Sequence, residues 1–381
     1  MKWNTLFGML AAVSVCLHMT KTPACAATPE AEDQLYGTPK VLQLKIEIPQ
    51  AQLEALRKEA KTYVQGTVRE GDRVFTNVAV RLKGAASAQL IDKKPGLTLK
   101  FDEFAAGQYF HNHSRIALNN ASQDPSFLLE AIGGEIYRAA GVPAPRVTFA
   151  RVDLNGRNAG LYVLVQPANR DFLSDYFKKT KGNFYVGDKS DVTEKLRLDG
   201  GRGAKDQAGL AKLAEVAREG NPNERTKKLG TLLDLDGFLS FLACEVFTGH
   251  RKGYVLDRNN YRVYHDPVSN HLVLMPDSLE DLFAKFNSPL APECKGILAR
   301  GVLESSDGQR LYRERMTKLL ASAFKPEPLQ SRVTELAGKI RPTLAGDPNE
   351  AKTFDLAVAR LRETIAQRAK FLEEELKKPA K

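Results

Sequence analysis

The sequence predicts an α+β fold that is rich in sheet up to about residue 170 and mainly helical beyond it. Three observations carry this: period-two alternation of apolar and polar residues in the first part, a change of composition after Gly200-Gly-Arg-Gly203, and only helical patterns from residue 308 onward. The chain has 381 residues, 43% hydrophobic and 27% charged, a balance that excludes disordered, collagen-like and disulfide-dense classes. Its net charge of +10 has no long basic tail, so it admits an anionic partner without naming one.

Residues 41–48 alternate and predict a half-buried strand, and residues 49–63 a short amphipathic helix. Strands are expected at 73–83 and at 96–101. Asp124-Pro125 predicts a helix with Asp as N-cap and Pro at its first position, running to about residue 140 and stopped by Gly141-Val-Pro143. Strands at 146–154 and 159–166 are joined at Asn155-Gly156, a strong hairpin signal. Further on, 207–218 reads as helix, Asp234 and Asp236 lead into the very apolar helix 237–248, and 260–265 with 271–275 form a hairpin around Asp266-Pro267. The remainder is helical, broken at Pro326 and Pro328 and at Gly346-Asp-Pro348, and ends in a long charged helix over 351–378. No internal repeat is present.

The first 27 residues have a different character. Lys2, a mostly apolar stretch over 6–17 and the small residues Ala24-Cys-Ala-Ala27 form the pattern of a secretory signal peptide, with cleavage expected after Ala26 or Ala27. Removing Lys2 and Lys21 with it would leave +8. No later stretch approaches the roughly 18 apolar residues of a membrane span. Cys244 and Cys294 would remain, able to pair in an oxidising compartment or to stay as buried thiols. His111 and His113 would share one face of a strand, but no spacing of His and Cys matches a closed zinc site.

Several strings together resemble a known family. They are Arg81-Leu-Lys-Gly84 with Ser87, Leu97-Thr-Leu-Lys-Phe101, Leu118-Asn-Asn120, Asp124-Pro-Ser-Phe-Leu128, Ala140-Gly-Val-Pro143, Asn155-Gly156 followed by Gly160-Leu-Tyr162, Asn259-Asn-Tyr261 and Ile365-Ala-Gln-Arg368. In this order and spacing, over residues 41–376, they resemble the CotH (spore coat protein H) kinase family. The resemblance implies an atypical protein-kinase-like, two-lobed fold, with an N-lobe at about 40–170 and a C-lobe at about 171–381 of one domain spanning 28–381. It also implies a protein that is secreted, periplasmic or in the cell envelope, and that uses ATP with Mg2+ or Mn2+ to phosphorylate Ser or Thr of a protein substrate or coat protein. No nucleic-acid partner is expected.

Phosphoryl transfer needs a cation on the phosphates, oxygen ligands on the metal and a carboxylate to position the hydroxyl nucleophile. For the phosphates the expected residues are Lys100, Arg81 and Lys83, with Lys94 as a competitor if the register slips. Glu135, in preference to Glu130, is the expected helix partner of the phosphate lysine. Gln166 stands where the family usually carries a glutamate. In His250-Arg-Lys252-Gly-Tyr-Val-Leu-Asp257-Arg-Asn259-Asn260 the position expected for the catalytic aspartate holds Lys252. Asp257 is then the nearest catalytic carboxylate, and Asp257, Asn259, Asn260 and Glu280 are the candidate metal ligands, Glu280 standing where the family has an aspartate. Gln166, Lys252 and Glu280 depart together where charge matters, so the sequence leaves two readings: a kinase with weakened phosphotransfer, or an inactive pseudokinase serving as a nucleotide-binding or assembly protein. The glycine string at 200–203 lacks the Gly-Lys-Ser/Thr ending of a phosphate loop.

Overall fold

In the computed structural model, residues 35–84, 90–200 and 207–379 are described, together with Met1. The expected export segment, Ser87 and most of the 200–203 string lie outside the described residues. Seven strands form the first part: β1 (Leu42–Glu47), β2 (Val64–Glu70), β3 (Arg73–Lys83), β4 (Gly96–Lys100), β5 (Arg115–Asn119), β6 (Val147–Leu154) and β7 (Arg157–Val165). The expected sheet closes into a barrel of order β1-β2-β3-β4-β5-β7-β6, sealed by a parallel pairing of β1 with β6. Closure removes the exposed strand edges that an open sheet would have to protect.

Alternation along each strand then sorts side chains to two faces. Leu44, Ile46, Val80, Leu97, Leu99, Ile116, Leu118, Val152 and Leu164 fill the barrel. Val80 lies opposite Leu99, and Leu99 opposite Ile116. The residues between them, Arg81, Lys83, Thr98, Ala117 and Asn119, therefore share the outer face of β3, β4 and β5. The outer faces of β6 and β7 carry Phe149, Leu161, Val163 and Val165 into the main core of the molecule.

That core is built by the helices. Helix α1 (Gln50–Lys58) lies between β1 and β2, and α2 (Leu129–Ala139) between β5 and β6. After α3 (Arg170–Ser174), a second sheet of order β11-β10-β8-β9 comprises β8 (Phe184–Gly187), β9 (Arg197–Gly200), β10 (Tyr261–His265) and β11 (Leu272–Pro276). Around it stand α4 (Ala208–Ala217), α5 (Pro222–Leu229), α6 (Leu235–Thr248), α7 (Tyr254–Asp257), α8 (Ile297–Leu303), α9 (Ser306–Leu320), α10 (Pro326–Ile340) and α11 (Pro348–Lys377). Helix α6 is buried from Phe238 to Thr248; Asp234 caps its start, and Gly249, at φ 60, ends it in a left-handed turn.

Arg368 of α11 adds donors to the buried carbonyls at the end of α6, beside the backbone bonds from Gly249 N to Val246 O (3.2 Å) and from Phe283 N to Thr248 O (2.6 Å). Its guanidinium, 1% exposed, donates to Phe247 O (3.2 Å), Val246 O (2.6 Å), Phe286 O (2.9 Å) and Ser288 O. The last helix is thereby tied to the turn after α6 and to the segment after β11.

The expected hairpins at Asn155-Gly156 and Asp266-Pro267 are present. Helix α1 ends at Lys58, because residues 64–70 find strand partners on both sides. Helix α2 starts four residues later than expected, at Leu129 with Leu128 as N-cap: Asp124 folds residues 124–128 into a tight loop, accepting from Ser126 N and Leu129 N (2.9 Å each), with Phe127 at φ 57. Strands β5, β8 and β9, of four or five residues, were not expected from the sequence.

Arg368→Met removes the guanidinium bonds to four carbonyls. The expected loss is about 3 kcal/mol of folding stability, read as a lower denaturant midpoint with an unchanged slope.

Candidate functional site

The outer face of the barrel supplies the first part of the site. Lys83, at the end of β3, donates from Nζ to Oδ1 of Asn119 on β5, and Asn119 Nδ2 donates to Glu130 Oε1 on α2 (3.0 Å). Glu130 is buried at 4% exposure. Burial and the Glu280 carboxylate push it up to about 8, while Lys83 and the backbone of Leu279 act in the opposite direction. Glu280 and Asp277, whose charge also reaches Glu130, come from the segment that follows β11.

That segment approaches α2 closely because Gly133 has no side chain. A Cβ there would stand 2.5 Å from Leu282 Cδ1 and 3.2 Å from Leu279 Cδ1. Asp124, buried in the loop before α2, is pushed up to about 6 by burial, with Glu280 adding to the rise. One cation, one amide and several carboxylates from β3, β5, α2 and the β11 exit thus gather at the junction of barrel and helices.

Of the residues expected from the sequence, Lys83 and Glu280 meet there. Glu135 does not: it lies on another side of α2, paired with Arg332 of α10 (2.8 Å). Nor does Lys100, since the β3–β4 register sets Gly96 opposite Lys83 and Lys100 opposite Ala79, where it pairs with Glu103 and Asp102. Arg81 shares the face of Lys83, with its guanidinium 4.9 Å from the Tyr63 ring and its buried Nε without a hydrogen bond among the described residues. Gln166, 2% exposed at the end of β7, accepts from Arg146 N (3.2 Å) and donates to Asp175 (2.8 Å), joining the start of β6 to α3. Lys94 lies over the rings of Phe127 (4.9 Å) and Tyr162 (5.6 Å). Sequence reasoning gave Asn119 no role; its signal was the polar outward position at the end of an otherwise apolar strand.

The segment between α6 and β10 reaches the loop in front of α2 through Lys252. Glu245, buried in α6, accepts from Tyr254 N (2.8 Å) and Val255 N (2.7 Å) and so holds the start of α7. Tyr254 in turn bonds Asp191 (3.0 Å) and accepts from Leu298 N (3.0 Å). Burial pushes Glu245 up to about 8 and neighbouring His250 down to about 4. The two lie 3.7 Å apart. Lys252 projects from this turn to the loop in front of α2, donating to Gln123 Oε1 (2.6 Å). Asp281 is paired with Arg251, and Asp257 with Lys295 (3.4 Å). Asn260 accepts from Asp277 N through its carbonyl (2.9 Å), and the Asn259 N–H donates to Gly253 O (3.3 Å).

No group of three or more His, Cys, Asp or Glu side chains able to hold a metal ion occurs among the described residues. Magnesium on a nucleotide needs only one or two carboxylates beside the phosphates, and Glu280 has no ion pair among the described residues. The donor set therefore fits a phosphate-bound cation. His111 pairs with Glu70 (2.7 Å) and His113 stands edge-on to Tyr36, so the two rings have different partners. Cys244 and Cys294 are both free thiols.

Glu245 sets a pH dependence. Its ordinary value is 4.5 and its folded value about 8, so between these the folded chain keeps a proton that the unfolded chain has lost. Stability then falls as pH rises, by up to about 1.4 kcal/mol per unit. His250 acts in the opposite sense, but only below 6.5. From pH 6.5 to 8.5 the denaturant midpoint of Glu245→Gln is expected to fall less steeply than that of the unsubstituted protein.

The profile of the CotH kinase protein family matches residues 80–378. Inner spore coat protein H of Bacillus subtilis is 23% identical over 295 residues, covering 70% of this chain and 80% of the relative. Invasin CotH2 of Rhizopus delemar is 23% identical over 279 residues, covering 62% of this chain and 46% of the invasin, so the chain spans about half that relative's length. Among solved structures, a HipA, HipB and operator DNA complex of Shewanella oneidensis aligns with a TM-score of 0.34 at 12% identity, over 70% of this chain and 61% of that one. With its family profile running from the middle of β3 to the end of α11, the chain belongs to the CotH kinase protein family.

Proposed function

We propose that this chain is a kinase-like protein that binds ATP with Mg2+ or Mn2+ between barrel and helices, and that its phosphotransfer to protein Ser or Thr is weakened. The observation that carries this is the Lys83–Asn119–Glu130 chain facing Glu280: a cation and a carboxylate brought together from two parts of the fold. Lys83, with Arg81 on the same face, would hold the phosphates. Glu280 would hold the cation, with Asp257, Asn259 and Asn260 as further oxygen donors from the segment between α6 and β10. When bound, the metal nucleotide supplies the phosphoryl group and its charge neutralisation. The chain's own residues orient it and exclude water.

The weakening follows from Lys252. An ammonium there can neither accept the hydroxyl proton nor orient the hydroxyl as a carboxylate does, and the neighbouring Asp281 and Asp257 each have a cationic partner. Its hydrogen bond to Gln123, reaching from the helical part to the loop before α2, favours a second reading, a pseudokinase that uses nucleotide for assembly. An exported location, in the envelope or outside the cell, agrees with the residues 1–27 pattern and with relatives named as a spore coat protein and an invasin. Among the described residues no helix is long and apolar enough to cross a membrane.

Incubation with labelled ATP, Mg2+ or Mn2+ and a casein-like acceptor is expected to label the acceptor slowly. Lys83→Met is expected to abolish the label, and Lys252→Asp to raise it at least about tenfold. Absence of label with every metal, alongside metal-dependent stabilisation by ATP, would leave the second reading. An unchanged melting curve would reject nucleotide binding.

A further inference from the structure

The proposed site draws on Lys83 and Arg81 and leaves most of the +10 charge unexplained. Further cations gather on another part of the barrel wall. Leu44, Ile46, Val68 and Val152 point into the barrel, so Gln43, Lys45, Arg69, Arg151 and Asp153 lie on the outer face of the adjacent strands β2, β1 and β6. The register sets Lys45 directly opposite Arg69, Gln43 opposite Arg151, and Lys45 opposite Asp153. Like charges facing each other across strands repel, so the Lys45–Arg69 pairing costs stability unless an anion stands between them. These side chains and Asn158 line a groove of about 410 Å3.

Partners within the chain do not cancel this charge. Neither Lys45 nor Arg151 has an ion pair among the described residues, and Arg151 donates to the neutral oxygens Asn158 Oδ1 (3.1 Å) and Thr343 O. Arg69 has Glu47 at 3.5 Å, a pair open to solvent and therefore weak. Asp153, the one acid that lines the groove among the described residues, accepts from Gly156 N through Oδ1 (2.7 Å).

We propose that this groove is a phosphate-binding site, in which Lys45, Arg69 and Arg151 surround one phosphate group from three adjacent strands. Neighbouring strands lie about 4.8 Å apart, so long side chains from β2, β1 and β6 can converge on a single group. A guanidinium offers phosphate two parallel N–H donors, and an ammonium offers a compact point charge. An anion seated between Lys45 and Arg69 turns their repulsion into two attractions. Gln43 and Asn158 add amide N–H donors. The inference does not depend on the nucleotide reading, because Lys83 stands on β3 beside β4 and β5 and takes no part in this groove. The chemistry is the same for the phosphate of a lipid headgroup and for one in solution, and the experiment separates the two.

The test is a titration of the full chain with inorganic phosphate at constant ionic strength, followed by the backbone amide resonances of β1, β2 and β6. Saturable shifts are expected at Lys45, Arg69 and Arg151. Binding is expected to be at least about threefold weaker in Lys45→Gln and in Arg151→Gln, and unchanged in Lys83→Met. Without phosphate, Lys45→Gln is expected to melt no lower than the unsubstituted chain, since it removes a repulsion. Sedimentation with phosphatidylglycerol but not phosphatidylcholine vesicles, weakened in both groove variants, would identify a lipid headgroup as the source. The same shifts without vesicle binding would identify a soluble phosphate. Absence of saturable shifts at these residues, or shifts that Lys45→Gln and Arg151→Gln leave unchanged, would overturn the inference and leave the nucleotide reading in place.

Discussion

Everything at the junction of barrel and helices depends on how closely the segment after β11 lies against α2, and that approach depends on one missing side chain. Leu279 and Leu282 occupy the space a Cβ on Gly133 would need. Because they fit there, Glu280 is carried into range of Glu130, which the Asn119 amide connects to Lys83. A larger residue at 133 would push apart two elements that are far apart in the chain, and the cluster with them. The contact is apolar, but its consequence is electrostatic: it sets two carboxylates against each other in a place with little solvent.

Partners then decide what each charged group can do. Glu135 and Glu130 stand in the same helix, yet one forms an outer ion pair with Arg332 and the other is buried beside a lysine-bound amide. Asp277, Asp257 and Asp281 each have a cation in contact; Glu280 has none among the described residues. Lys252 reaches the loop before α2, where it donates to Gln123. Beneath these groups, Glu245, Tyr254, Asp191 and Arg368 hold backbone groups in place, so the turn carrying Lys252 has buried polar support on several sides.

Strand β3, the hairpin at Asn155-Gly156, the hairpin of β10 and β11 and the final helix were legible because each has a pattern long enough to express a period, or a turn whose backbone few residues can adopt. Strands β5, β8 and β9 were not, since their four or five residues become strands only through their neighbours. The start of α2 was misplaced for a related reason: Leu128, not Asp124, stands at its N-cap, and Asp124 reaches Leu129 N only across an intervening loop that spacing cannot distinguish from a helical turn. In the site, Lys83 and Glu280 were legible from ordered strings. The choice of Glu135 over Glu130, and of Lys100 beside Lys83, turned on which side of a helix and which end of a strand meet the other part of the molecule.

By itself the sequence determined the α+β order, the mild basic excess and the family, because all of these are written in local pattern and residue identity. Only the tertiary structure decided that the sheet closes into a barrel, that Glu130 and Asn119 stand beside Lys83, and that Asp277 and Asp257 already have cationic partners. Pairing of charges across strands and helices is set by packing between residues distant in the chain, and such distances have no signature in a linear order.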